Sequence, residues 1–253
     1  MSNDIWVLGA TGRSGRGIAR RLAATGHSVV LAGRDPDRLS AIATELGSAE
    51  VASGSFDYLL DQLRSAAPAV VINTIGPFAR TSTLVTEACP PGTNYVDIGN
   101  ELPGVQAVLD SHDRAVAAGR TVVTGGGFGV LATESVVIQI CAERSAPADV
   151  RVDAIPSLAT EKGAIGSALA GSMLDGAHDG GRRVEHGRLV RFPLAGARQQ
   201  FTTPSGDTAF TLPSRPATCL PPGGRATPNR WSPQRRRYRP DRRSDWGFRW
   251  YRS

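Results

Sequence analysis

Apolar and polar positions over the first 130 residues follow two alternating rhythms. Short continuous apolar runs, as expected for parallel strands covered on both faces, occur at Ile5–Leu8, Ser28–Ala32 and Ala69–Ile75. Weaker strand patterns fall at residues 50–55, Asn94–Asp97 and Thr121–Thr124. Between them, helical spacing predicts helices over Gly12–Ala24, Pro36–Leu46, Tyr58–Arg64, Thr81–Ala88 and Gly104–Ala118. In the first of these, Ile18 and Leu22 form the inner face and Arg16, Arg20 and Arg21 the outer one. Asp35 is placed to cap the second, with Pro36 at its first position. Strands alternating with helices predict an α/β architecture, a Rossmann-type doubly wound parallel sheet, over residues 1–130.

The pattern then changes twice. Residues 131–214, including VRVDAIPSLA, EKGAIGSALAGSML and VEHGRLVRFPLAG, read as the opening of an incomplete α+β second domain. Residues 215–253 keep no period and hold three of the four tryptophans, so they are expected to form a disordered, Arg/Pro-rich tail. Three origins compete for this tail: an arm for RNA or membranes, a natural extension, or a GC-rich coding stretch read in a shifted frame. The last fits a chain whose only lysine is Lys162.

Charge follows the same division. The formal net charge is +6, yet the tail alone holds eleven arginines against two aspartates, leaving residues 1–214 mildly acidic. Nucleic-acid binding by the folded part therefore loses its main support. No apolar run is long enough for a membrane span, and the N-terminus lacks a signal-peptide pattern. Cys89, Cys141 and Cys219 stand in no metal-ligand or redox spacing, so neither a metal site nor a disulfide framework is expected, and a cytoplasmic setting fits.

The candidate chemistry begins in the turn after the first strand: Gly9, Ala10, Thr11, Gly12, Arg13, Ser14 and Gly15. Phosphate binding needs a strand that stops abruptly and a helix whose free N–H groups face an anion. Gly9 suits the turn, Gly12 a close backbone approach and Gly15 tight helix–sheet packing. The spacing is GxxGxxG, and its placement between strand and helix carries more weight than the glycines alone. A glycine-rich turn that binds nothing is the competing reading.

Cofactor choice is read where the second strand ends. Gly33 and Arg34 stand where NAD-binding units place a carboxylate for the ribose 2′-hydroxyl. A guanidinium there suits a 2′-phosphate, with Arg13 as a second phosphate partner, so the expected cofactor is NADP. After the fourth strand, Gly76 and Pro77 suit a loop passing close to the cofactor. Asn73 suits either the ribose or a neighbouring strand end.

Taken in order, VLGATGRSG, VVLAGRD, VVINTIGPF, ACPPGTNYVDIGNE and TGGGFGV resemble the saccharopine dehydrogenase-like family of NADP-binding oxidoreductases and its trans-acting enoyl reductase relatives in actinobacteria. The resemblance covers residues 4–130. It implies a Rossmann domain followed by a substrate domain that often mediates homodimers, with the dinucleotide held by Gly9–Gly15, Gly33–Arg34 and Asn73–Phe78. It also makes Tyr95 and Asp97 substrate-cleft candidates, against a plain reading as a buried strand-end tyrosine and a capping aspartate. Family members are longer, so poor solubility and little turnover are expected of a truncated form.

The leading functional expectation is hydride transfer between NADP(H) and a small-molecule C=N, C=O or activated C=C group. Catalytic residues are not identified: His27, His112, His178 and His186 are scattered, and no Tyr-x-x-x-Lys pair exists. A non-catalytic dinucleotide sensor, similar to NmrA-like regulators, and an inactive remnant of the enzyme are the alternatives.

Overall fold

The computed structural model describes residues 2–141, 171, 174, 181–185, 188–193, 199–202, 206 and 208–211. The 215–253 tail, Lys162, His178, His186 and Cys219 lie outside the described residues. The chain divides into one unit over Met1–Pro221 and another over Pro222–Ser253.

Six parallel strands run in the order β3-β2-β1-β4-β5-β6, where β1 is Ile5–Leu8, β2 Val29–Gly33, β3 Glu50–Ser53, β4 Val70–Asn73, β5 Asn94–Asp97 and β6 Val122–Val123. The helices between them are α1 (Arg13–Ala24), α2 (Pro36–Glu45), α3 (Phe56–Ala66), α4 (Phe78–Ala88), α5 (Leu102–Leu109) and α6 (His112–Ala117). A π-helical turn, Phe128–Ala132, leads into α7 (Thr133–Cys141). The α/β doubly wound reading holds, with its reversal of strand order between β1 and β4.

Two apolar layers explain why β1 and β2 are apolar throughout. Trp6, Leu8, Val30 and Ala32 pack with Leu59, Leu63, Val71, Val85 and Tyr95 on one face. Val7, Val29 and Leu31 pack with Ala19, Leu39, Ile42 and Ala43 on the other. Each fully buried leucine contributes about 1.5–3 kcal/mol relative to exposure. Leu8 lies opposite both Ala32 and Asn73, so β1, β2 and β4 end level with one another. That shared edge places the loops that follow them side by side.

The expected helix over Gly104–Ala118 is two helices. At the break Ser111 donates both its amide and its hydroxyl to the carbonyl of Val108, at 3.1 and 2.6 Å, and so competes with the helical ladder. The α3 helix starts at Phe56, before the expected Tyr58, because the Ser55 hydroxyl caps it by accepting from the Tyr58 amide. Beyond α7, two antiparallel pairs are described: Gly181–Glu185 (β7) with Arg188–Phe192 (β8), and Gln199–Thr202 (β9) with Thr208–Thr211 (β10). In the first, the Arg183 guanidinium lies 4.4 Å from the Phe192 ring centroid.

Candidate functional site

The turn between β1 and α1 is built around close backbone approaches. Gly9 has φ +79°, a left-handed conformation that favours glycine, and a Cβ there would lie 2.7 Å from Thr74 Oγ1. A Cβ on Gly15 would overlap the Gly9 carbonyl and lie 2.9 Å from Thr74 Oγ1. The Thr74 hydroxyl donates to the Leu8 carbonyl at 2.7 Å, pinning the end of β4 to the end of β1. The amides of Gly9 and Ala10 both donate to the Ala32 carbonyl, at 2.8 and 3.2 Å, which anchors the same turn to β2.

Gly12 is the N-cap of α1, and it, Arg13 and Ser14 are exposed. The first turn of α1 carries no acidic residue. Exposed residues at the helix start, the positive end of the helix dipole and no carboxylate on that turn together suit a dinucleotide diphosphate. These residues fit the cofactor that the sequence implies.

At the end of β2, Gly33 is buried against Leu39, where a Cβ would make only ordinary contacts at 3.5 Å and beyond. Arg34 is exposed. Asp35 caps α2, its carboxylate accepting from the Arg38 amide at 3.0 Å. That carboxylate is therefore engaged in the role the sequence assigned it. Arg38, which sequence reasoning passed over, donates from Nη2 to the Thr11 carbonyl at 3.2 Å and so joins α2 to the glycine turn.

The other half of the sheet edge differs. Asn73 is fully buried; its amide nitrogen donates to Thr81 Oγ1 and to the Tyr95 hydroxyl, both at 3.2 Å, and its oxygen accepts from the Ile75 amide at 3.0 Å. Of the two roles open to it, these bonds are those of a residue joining neighbouring elements. Gly76 is half-buried and Pro77 exposed, in the loop that opens α4. Glu101 reaches back to that helix, accepting from the Ala79 amide at 2.8 Å.

Tyr95 and Asp97 are also fully buried. One Asp97 oxygen accepts from the hydroxyls of Ser82 and Tyr95, at 2.7 and 2.8 Å. The other accepts from the amides of Gly99 and Gly125 and from the Thr124 hydroxyl, at 3.0, 3.1 and 2.9 Å. Five donors thus converge on one interior carboxylate. Burial, reinforced by the neighbouring Asp97 charge, pushes the Tyr95 hydroxyl's acidity well below that of free tyrosine. Asp97 thereby holds the segments after both β5 and β6.

Those segments line a cleft of about 420 Å³ beside the first turns of α1. It is lined by Arg13, Ser14 and Ile18 of α1 and by Ile98, Asn100 and Val130. TGGGFGV was visible as a motif, but nothing in the sequence assigned Thr124 and Gly125 to Asp97. Cys89 is buried, which pushes its thiol up to about 12 and leaves it a protonated core residue. Among the described residues no three His, Cys, Asp or Glu side chains cluster as metal ligands, and no helix is long and apolar enough to cross a membrane.

Residues 5–123 match the saccharopine dehydrogenase NADP-binding domain. A trans-acting enoyl reductase of Mycobacterium ulcerans is 33% identical over 135 residues, 49% of this chain and 32% of that protein. The Mycobacterium leprae trans-acting enoyl reductase is 33% identical over 147 residues, 54% of this chain and 35% of that protein. The chain thus spans about a third of the length of these relatives. Among solved structures, serine dehydrogenase from Escherichia coli matches at a TM-score of 0.42 and 19% identity, covering 48% of this chain and 80% of that one.

Proposed function

We propose that this chain, whose residues 5–123 form an NADP-binding domain of the saccharopine dehydrogenase type, is an NADP(H)-dependent oxidoreductase acting on a small molecule. The observations that carry the reading are the exposed glycine turn at the start of α1 and the exposed Arg34 at the end of β2. The diphosphate is assigned to the exposed first turn of α1, and Gly15 lets that turn sit close against β1. Arg34 is assigned to the 2′-phosphate, since the adjoining Asp35 carboxylate is engaged as a helix cap and leaves the guanidinium as the recognition group. Gly76 and Pro77, in the loop after β4, are assigned to pass close to the cofactor.

When bound, the cofactor donates the hydride as NADPH or accepts it as NADP+. The chain's contribution is orientation: Asp97 fixes the loop carrying Ile98 and Asn100 and the glycines before Val130. The apolar side chains of Ile98 and Val130 limit water beside the acceptor carbon, which belongs to a C=N, C=O or activated C=C group. The relatives' description as enoyl reductases favours the last of these.

Titrating the full-length protein with NADPH and NADH, followed by nucleotide fluorescence, tests the cofactor assignment. The wild type is expected to prefer NADPH by about 10- to 100-fold, the scale of one charged hydrogen-bonding group. Arg34→Asp should abolish that preference. Equal affinities in the wild type would refute the reading.

A further inference from the structure

Arg38 stands at the electrostatically unfavourable end of its helix. It is the third residue of α2, where the helix dipole favours carboxylates over guanidinium groups, and Asp35 and Asp37 follow that preference. Its side chain is exposed, so no burial of its stem explains the choice. The Nη2 atom nonetheless donates to the Thr11 carbonyl, 27 residues earlier in the chain. A guanidinium has five N–H donors, and this bond uses one. Among the described residues Arg16, Arg20 and Arg64 form ion pairs, whereas Arg13, Arg34 and Arg38 have no carboxylate at ion-pair distance.

We propose that Arg38 is a second specificity-determining residue for the 2′-phosphate, completing with Arg34 a two-guanidinium site held in register by the Thr11 carbonyl. This rests on the assignment of the glycine turn to NADP(H). A phosphate monoester carries nearly two negative charges at neutral pH, and Arg13 lines the cleft beside α1 instead, so Arg34 alone leaves part of that charge unmatched. A second guanidinium supplies the missing charge and another planar donor fork. Arg34 immediately precedes the Asp35 cap and Arg38 closes the capped turn, so one short segment carries both groups. The bond to Thr11 holds Arg38 before the anion arrives, reducing the side-chain entropy lost on binding. It also ties the adenosine side of the site to the turn assigned to the diphosphate.

The bond to Thr11 defines the rival role, a brace for the glycine turn, which would affect every adenine dinucleotide alike. Full-length wild type, Arg38→Ala and Arg38→Lys are titrated calorimetrically with adenosine 2′,5′-bisphosphate, AMP, NADPH and NADH. Arg38→Ala is expected to weaken binding of the bisphosphate and NADPH by about tenfold or more, leaving AMP and NADH unchanged. Arg38→Lys should restore only part of the loss, because an ammonium lacks the fork. An equal loss on all four ligands, or no loss, overturns the proposal. A wild type that prefers NADPH, with the preference intact in Arg38→Ala, overturns this inference alone. A wild type blind to the 2′-phosphate overturns the NADP assignment with it. Should Arg38→Ala fail to fold, Arg38→Gln is read by the same criteria.

Discussion

The two halves of the sheet's carboxyl edge both carry polar side chains, exposed in one half and buried in the other. Beyond β1 and β2, Gly12, Arg13, Arg34 and Arg38 are exposed, and the three arginines have no carboxylate partner among the described residues. Beyond β4 and β5, Asn73, Tyr95 and Asp97 are buried and bonded to one another and to neighbouring loops. A polar residue at a strand end is therefore not by itself a sign of binding. What separates the halves is whether its donors and acceptors are already engaged, because a buried polar group must be satisfied internally while an exposed one remains available to a ligand.

The sharpest way to break this contrast is to remove a centre of the engaged half. Asp97→Ala leaves five donors without their acceptor and should cost about 3 kcal/mol or more. Against a typical total stability of about 5–15 kcal/mol, that predicts a large fall in the thermal midpoint and in soluble yield. A variant as stable as the wild type would show that the network is not structural. In the open half, Gly15→Ala forces a methyl into the Gly9 carbonyl, so the turn must shift. Overpacking of this kind costs about 1–3 kcal/mol. Here the more telling readout is nucleotide affinity, expected to fall for NADPH and NADH together, in contrast with the selective effect of changes at Arg34. A well-folded Gly15→Ala protein with unchanged affinity for both would remove the glycine turn from the site.

Much of the open half was legible in the sequence because its signals are local. The glycine spacing, the strand before it and the Arg34-Asp35-Pro36 sequence lie within single turns, and the capping of α2 by Asp35 follows from three residues of text. The continuous apolar runs likewise located β1 and β2, since a strand covered on both faces leaves few alternatives. The engaged half depends on distant pairings. Ser82 and Thr124 meet Asp97 only after β4, β5 and β6 align, and Thr74 reaches Leu8 across 66 positions. Arg38 was missed for the same reason: its partner Thr11 belongs to another βα turn. The break between α5 and α6 turned on the Ser111 hydroxyl, whose competition with the helical ladder the apolar spacing does not register.

Amide hydrogen exchange of the full-length protein, with and without saturating NADPH, tests most directly where the dinucleotide sits. The account predicts added protection over residues 9–15, 33–38 and 74–78, with Tyr95 and Asp97 already protected in the free protein and little changed. Protection confined to other segments, or none in those three at saturating nucleotide, would contradict it.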